Sequence, residues 1–331
     1  MKSWRVVGVI SLSFLSSSLW AGQALLNASY DVSRELYKDI NPAFTAFWQK
    51  TKGEAVQINQ SHNGSSKQAL SVAGGLEADV VSMNQSTDID LLVERGGLVA
   101  KDWRSKFPNE AAPYTTTTVF LVRKSNPKGI KDWPDLAKPG TVVVIPNPKV
   151  TGNGRYTYLA AWGSVLAKGG SVNDAKAYVQ KVFANVPVFD GGGRGASTTF
   201  TQRGIGDVLV TFENEAAQIA KELGNDQFIL VYPSVSVEAP APVAIVEKVV
   251  EKKGTTVQAK AYLDFLWSEE GQAIIAKHYF RPRSPAVLQK FAERFPSIKT
   301  FTVEEKFESW KDVSAQHFAD GGIYDQLVER R

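Results

Sequence analysis

Four junctions, each between an apolar run and a helix-like pattern, constrain this chain more than any other feature. Each is a cluster of small or polar residues, at 27–31, 61–66, 146–154 and 190–198. The first N–H groups of a helix have no partner within it, and they carry the positive end of the helix dipole. Small residues let an anion approach these groups, and Ser or Thr adds hydroxyl donors. Four such helix starts predict a site for an oxyanion.

Short apolar runs alternate with helical periodicity along the whole chain. The runs predict buried strands at 25–29, 55–61, 79–82, 117–122, 141–145, 186–189, 207–211, 228–232 and 243–246. This order is typical of an α/β protein with mostly parallel sheets covered by helices. In open sheets of this kind ligands bind beyond the carboxyl ends of the strands, which is where all four junctions lie.

The first 24 residues have the pattern of a secretory signal peptide. Two basic residues start it, an apolar stretch runs over 6–19, and small residues follow at Ala21 and Ala24. Cleavage is predicted after Ala21 or Ala24, and the mature chain is expected to be exported. Because no Cys follows the apolar stretch, lipid attachment at that point is excluded.

Charge and reactive side chains exclude several function classes. The net charge is +4, or +2 without the two basic residues of the leader, which is too small to indicate a nucleic-acid or membrane partner. There is no Cys, and His62, His278 and His317 stand in no hydrolase or zinc-binding motif. The Gly-rich run at 191–193 lacks the acidic residue of a dinucleotide site. The chain is therefore expected to bind a ligand without catalysis, metal or cofactor.

The chain is long enough for two lobes, and no flexible linker separates them. Crossings between the lobes are therefore expected within β-rich segments, at 113–124 and 233–246. This organisation assigns 25–113 and 240–331 to lobe I and 114–239 to lobe II.

Several motifs resemble those of the periplasmic sulfate- and thiosulfate-binding proteins of ABC importers. They lie at 29–31, 61–69, 147–155, 159–163, 193–195, 206–209 and 277–282. Together they span nearly the whole chain after the leader. The resemblance implies a type II periplasmic binding protein fold, in which two α/β lobes close around one central anion cleft.

The resemblance also implies a set of ligand-binding residues. In that family neutral donors at helix starts hold a desolvated dianion, and no cation contacts it. The matching positions here are the backbone N–H of Asp31 and the Ser65 side chain from lobe I, and Thr151, Gly152, Asn153, Gly193 and Phe212 from lobe II. Thr151 keeps a hydroxyl where the family often has Ser, and Asn153 stands where sulfate binders often have Gly.

Phe212 is the main departure from the sulfate-binding pattern. Sulfate-binding members commonly have Trp there, whose indole N–H donates a hydrogen bond, and Phe has no such donor. Thiosulfate-binding relatives are more similar at this position and over 31–36, 155–158 and 192–196. The chain is therefore placed nearest the thiosulfate-binding branch, and the choice between the two anions stays open.

Three further residues near the junctions are assigned supporting roles. Arg155 and Arg194 are expected to brace their loops by pairing with a carboxylate or carbonyl, since the resemblance implies a site without a contacting cation. His62 is expected either to line the pocket or to serve the structure. The Asp31 carboxylate is expected to turn back onto its own helix as a cap.

The expected function is that of a periplasmic, monomeric receptor that passes sulfate and/or thiosulfate to the permease and ATPase subunits of an ABC importer. One alternative is a receptor for phosphate or molybdate. Phosphate keeps a proton at neutral pH and needs an acceptor, which a site of donors alone lacks. The other alternative is a secreted enzyme of phosphoryl or sulfuryl transfer, which needs a nucleophile or metal cluster that the sequence does not show.

Overall fold

The computed structural model describes residues 23–224 and 226–329. The predicted leader lies outside this part of the chain, except for Gln23 and Ala24, which begin the first strand. No helix in the described part is both long enough and apolar enough to cross a membrane.

The described residues form twelve strands and sixteen helices. The strands are β1 (Gln23–Tyr30), β2 (Val56–Asn63), β3 (Val80–Ser82), β4 (Tyr114–Arg123), β5 (Val143–Pro146), β6 (Phe189–Asp190), β7 (Val208–Phe212), β8 (Phe228–Val231), β9 (Ser236–Pro240), β10 (Val243–Ile245), β11 (Arg281–Pro282) and β12 (Thr300–Phe301). The helices are α1 (Arg34–Lys52), α2 (Ser65–Ala73), α3 (Ser86–Glu94), α4 (Pro108–Ala111), α5 (Trp133–Leu136), α6 (Gly152–Ala167), α7 (Val172–Ala184), α8 (Gly193–Thr201), α9 (Glu213–Leu223), α10 (Glu247–Lys253), α11 (Thr256–Phe265), α12 (Glu269–Lys277), α13 (Pro285–Lys290), α14 (Val303–Phe307), α15 (Trp310–Val313) and α16 (Ile323–Val328). A 3₁₀ turn, Asp31–Ser33, precedes α1.

Lobe I is built on a four-stranded sheet in the order β10-β3-β1-β2. The first three strands in the chain are parallel, and β10 pairs antiparallel with β3. The apolar stripe of α1 packs on this sheet because its buried residues recur at helical spacing. Phe44 of that stripe meets Tyr262 of α11 edge-on, with ring centroids 5.2 Å apart. These contacts give lobe I its own core.

Lobe II is built on a larger sheet in the order β12-β9-β4-β7-β5-β6, and β8 and β11 also pair with β4. β5 runs parallel to β6 and β7, whereas β4 runs antiparallel to β7, β8 and β9. α6 is buried along almost its whole length, as expected of a helix whose residues are apolar or small on every side. Two sheets, each with its own helices, confirm the predicted α/β architecture of two lobes. The prediction of mostly parallel sheets is wrong for lobe II, because β4 runs antiparallel to its neighbours.

β4 connects the two lobes. Tyr114 at its start lies in the core of lobe I, and Phe120 lies in the core of lobe II. The chain returns through β9, which pairs with the first half of β4, and continues into β10 of lobe I. The lobes are thus joined by paired strands rather than by a loose segment.

The C-terminal tail packs on lobe II. β12 pairs with β9, and Trp310, Phe318 and Leu327 lie in the core of lobe II. The segment 240–331, expected to belong to lobe I as a whole, is therefore divided: its first part completes lobe I and its last part completes lobe II. An amphipathic pattern shows which face is buried, but not which lobe buries it.

Candidate functional site

Each predicted junction connects a strand to a helix start. In lobe I, β1 runs into the 3₁₀ turn and β2 into α2. In lobe II, β5 runs into α6 and β6 into α8. Each junction thus lies at the carboxyl end of a strand, as expected.

The second and third junctions meet through Asn84, which follows β3. Its backbone N–H donates to Ser65 Oγ at 3.1 Å, within lobe I. Its side chain reaches lobe II, since a methyl group built on Gly152 would lie 2.1 Å from Asn84 Oδ1. Asn84 thus lies between Ser65 of lobe I and Gly152 of lobe II.

The first, third and fourth junctions also meet. A methyl group on Gly193 would lie 3.1 Å from Asn153 Nδ2, and one on Gly192 would lie 3.8 Å from Asp31 Oδ2. Together with the Asn84 contacts, these distances bring helix starts from both lobes to one place. Asn153 and Gly193 are buried there, and Asp31 is partly buried.

The two hydroxyl groups expected to face the ligand are engaged within their own lobes. Ser65 Oγ donates to Asp88 Oδ2 at 2.5 Å. Thr151 is the N-cap of α6: its hydroxyl donates to the Asn147 carbonyl at 2.9 Å and accepts from the Gly154 N–H at 3.0 Å. In this structure the donors left at the helix starts are chiefly backbone N–H groups.

A buried carboxylate, Glu215, lies beside the predicted site. It accepts hydrogen bonds from Ser197 Oγ at 2.7 Å, Thr211 Oγ1 at 2.9 Å and Asn153 Nδ2 at 3.3 Å. Burial raises the pKa of Glu215, although the Ser197 hydrogen bond lowers it. A sequence signal for this residue is its place in the first turn of α9, just after β7.

Asp31 and Asp88 are the acidic residues of lobe I at the site. Burial raises the pKa of both carboxyl groups. The cation of Arg194 and the backbone N–H of Val32 counteract this effect at Asp31. At Asp88 the hydrogen bond from Ser65 counteracts it.

The two arginines are held by protein groups. Arg155 lies 3.4 Å from the carbonyl oxygens of Pro148 and Lys149, and it braces the loop before α6. Burial lowers the pKa of Arg155. Arg194 Nη2 of α8 lies 2.6 Å from Glu35 Oε2 of α1, so this pair joins the two lobes rather than bracing one loop.

His62 and Phe212 are each in contact with residues of their own lobe. His62 Nδ1 is 2.7 Å from Ser29 Oγ, its pairing partner on β1, and burial lowers the pKa of its imidazole. Phe212 ends β7 as the N-cap residue of α9. Its ring is buried in the lobe II core, 5.8 Å from the ring of Tyr156.

Two buried amide oxygens at the site have no hydrogen-bond partner among the described residues: Asn84 Oδ1 and Asn153 Oδ1. Within the same part of the chain, no group of three or more acidic or His side chains is placed to hold a metal ion. The site therefore offers neutral donors and acceptors beside a small number of carboxylates.

A further cavity between the lobes lies elsewhere. Its volume is about 610 Å³, and Trp103, Tyr156, Arg283 and Trp310 contribute to its lining. None of the predicted ligand-binding residues lines it. The two arginines that border it, Arg104 and Arg283, are paired with acidic residues. The convergence of helix starts, rather than cavity size, identifies the candidate site.

Residues 11–281 match the model of a family described as bacterial extracellular solute-binding protein. The chain is 60% identical over 313 residues to a thiosulfate-binding protein of Pseudomonas aeruginosa, covering 95% of this chain and 94% of the relative. It is 49% identical over 332 residues to a sulfate-binding protein of Escherichia coli, covering 100% of each. Among solved structures, the sulfate-binding protein SubI from Mycobacterium tuberculosis H37Rv has 30% sequence identity and a TM-score of 0.79, covering 88% of this chain and 98% of that one.

The chain therefore belongs to the bacterial extracellular solute-binding protein family and has a periplasmic binding protein fold. Its relatives are named as binding proteins, so it is a binding protein rather than an enzyme. The similarity to thiosulfate- and sulfate-binding proteins confirms the family inferred from the motifs.

Proposed function

We propose that this solute-binding protein captures sulfate or thiosulfate between its lobes and delivers the anion to an ABC importer. One observation carries the proposal: helix starts from both lobes converge at one place. Asn84 lies between Ser65 of lobe I and Gly152 of lobe II, and Asn153 lies next to Gly193 within lobe II. The names of its relatives at 60% and 49% identity support the choice of anion.

The chemistry of the site suits a desolvated dianion. The start of α6 at Gly152 and Asn153 and the start of α8 at Gly193 present backbone N–H groups with the positive ends of two helix dipoles. Arg155 and Arg194 are occupied by carbonyl groups and by Glu35. Binding then rests on neutral donors whose geometry is fixed by the fold.

One observation favours phosphate as a second candidate. The Asn153 amide is oriented by its donation to Thr211 at 2.8 Å, which leaves its buried Oδ1 as an acceptor without a partner. Hydrogen phosphate carries a proton that needs such an acceptor, whereas sulfate and thiosulfate do not. The site thus contains a hydrogen-bond acceptor as well as the donors that the sequence predicts. Phosphate is therefore included among the anions to be titrated.

Calorimetric titration of the mature chain with sulfate, thiosulfate, phosphate and molybdate tests the proposal. Sulfate and thiosulfate are expected to bind at least about tenfold more tightly than phosphate, because most groups facing the ligand are donors and an unmade buried hydrogen bond costs about 1–3 kcal/mol. Phosphate affinity equal to or above that of both sulfur anions would replace the proposal with the second candidate. Binding of none of the four would refute both.

The place and partners of the protein complete the proposal. The leader pattern and the extracellular solute-binding family support export to the periplasm. Closure of the lobes around the anion would create the form that the permease recognises, and the importer's ATPase would then drive uptake.

The receptor is proposed to act as a monomer, which light scattering of the anion-loaded protein would check. Stimulation of a reconstituted importer's ATPase by the loaded but not the empty receptor would test delivery.

A further inference from the structure

The geometry points to Asn84 as a further ligand contact. Its side-chain amide, reaching from lobe I, donates to the anion held at the start of α6 in lobe II. This inference rests on the proposed function, and it adds a side-chain contact that no motif assigned.

Asn84 is held where both lobes meet. It follows β3 and is 6% exposed, and its backbone N–H donates to Ser65 Oγ at 3.1 Å. Its side chain approaches the first residue of α6, where a methyl group on Gly152 would lie 2.1 Å from Oδ1 and 2.9 Å from Nδ2. The amide is therefore next to the helix start that the anion is proposed to occupy.

The Asn84 amide has no hydrogen-bond partner within the described residues. Oδ1 is buried and unpaired, and no donation from Nδ2 is observed. The neighbouring Gln85 also has a buried amide oxygen without a partner among the described residues, but its Nε2 donates to Ser66 Oγ at 3.1 Å and to Asp88 Oδ1 at 3.0 Å. Buried polar groups in native proteins are almost always paired, so an unpaired amide at this place calls for a ligand.

The site lacks the other side-chain donors that were expected. The hydroxyl hydrogens of Ser65 and Thr151 go to protein acceptors, and Phe212 has no donor. Among the described residues, the amide of Asn84 is therefore a neutral side-chain donor that is left free for the anion. An N–H bond to a charged acceptor is stronger than one to a neutral acceptor. A half-turn of the amide exchanges Oδ1 and Nδ2, and no bond from Asn84 Nδ2 to the protein opposes that turn, so the N–H₂ can face the ligand. The Asn153 amide differs, because its donation to Thr211 fixes its orientation.

Two substitutions test the contact. Asn84→Leu removes the donor at similar side-chain size, and Asn84→Asp keeps the shape but places a negative charge beside the anion. Gln60→Leu is the matched control, because Gln60 lies in the same lobe and also has a buried amide oxygen without a partner among the described residues. Affinities for sulfate and for thiosulfate are measured by calorimetry on the mature chain, with thermal unfolding of the ligand-free protein as the check of folding.

Asn84→Leu is expected to weaken binding of the preferred anion by about tenfold or more, and Asn84→Asp by more than Asn84→Leu. Gln60→Leu is expected to bind as the wild type does. If Asn84→Leu does not fold, the affinity of Asn84→Asp tests the contact, since Asp has nearly the same side-chain volume as Asn. Folded Asn84 variants that bind both anions as tightly as the wild type would overturn this inference but not the proposed function. A wild type that binds neither sulfur anion would overturn the proposed function, and this inference with it.

Discussion

Gly152→Ala adds one methyl group at the point where the lobes touch. The added carbon would lie 2.1 Å from Asn84 Oδ1 and 2.7 Å from Asn84 Cγ. Carbon and oxygen that are not bonded do not approach so closely, so the Asn84 side chain must rotate or the lobes must stay apart. The substitution therefore opposes closure without removing any backbone N–H group from the site.

The size of the effect follows from the cost of overpacking. Forcing an extra methyl group into a packed contact costs about 1–3 kcal/mol. If that cost is borne by the closed, anion-bound form alone, the dissociation constant rises by about 5- to 150-fold. The ligand-free protein should unfold at the same temperature or slightly higher, since Ala is favoured over Gly within a helix by up to about 1 kcal/mol.

Two comparisons isolate the contact. Gly191→Ala is the matched control, because a methyl group there meets nothing within 4 Å, and it should leave affinity unchanged. In an Asn84→Ala background the clash is absent, so adding Gly152→Ala should cost little further affinity. Calorimetry on the wild type, the two single variants and the double variant measures the coupling.

The reasoning would be refuted by an equal loss of affinity from Gly152→Ala in both backgrounds. It would also be refuted if Gly152→Ala lowered the unfolding temperature of the ligand-free protein and left affinity intact. Either result would place the strain within lobe II rather than between the lobes.

Three other predictions address the rest of the site and the fold. Arg194→Gln should weaken anion binding only up to about fivefold, because a partly exposed ion pair with Glu35 contributes about 0.2–1 kcal/mol; complete loss of binding by the folded variant would instead indicate direct contact with the anion. Phe212→Trp should shift the ratio of affinities toward sulfate by supplying an indole N–H, and an unchanged ratio in calorimetry would show that Phe212 serves only the core. Burial lowers the pKa of His317 from 6.5 to about 4, so the folded state favours the neutral ring. The free energy of unfolding therefore contains the full contribution of neutral His317 above pH 6.5, and it decreases by up to about 3 kcal/mol as the pH drops to 4. His317→Gln should reduce this decrease when the free energy of unfolding in urea is measured against pH. An identical pH profile in the wild type and the variant would contradict the prediction.

The sequence predicted the helix starts because their signals are local. A strand followed by Gly, Ser, Thr or Asn and then by a helical pattern is recognisable within about ten residues, and all four junctions have this form in the structure. Most of the strands were also found in this way. β6 is shorter than predicted, with only Phe189 and Asp190 paired to β5, because it lies at the edge of the sheet.

Asn84 was missed although a signal for it existed. The short strand β3 is followed by a polar run and then by α3, which makes 83–88 a further strand-to-helix junction. It has no glycine, so it does not resemble a place where an anion approaches the backbone. What it contributes is a side chain that crosses to the other lobe. That contact depends on how the lobes face each other, which no local pattern contains.

The roles of Arg194 and of the tail were beyond sequence reasoning for a similar reason. An arginine near a junction indicates a partner, but the distance to Glu35 depends on the relative position of the two lobes. The aromatic residues around Trp310 indicate burial, but the surface that covers them is set by β12 pairing with β9. Local patterns predict elements, whereas contacts between distant elements require the three-dimensional arrangement.

The division of the C-terminal segment between the lobes bears on the order in which the protein is made. Lobe I needs β10, near residue 245, to complete its sheet, and lobe II needs Trp310, Phe318 and Leu327 to fill its core. As the chain leaves the ribosome, neither half can finish folding until the segment that completes it has been synthesised, and for lobe II this segment lies after residue 300. Under the export to the periplasm proposed above, this delay would keep the segments already made without their final partners while the chain crosses the membrane.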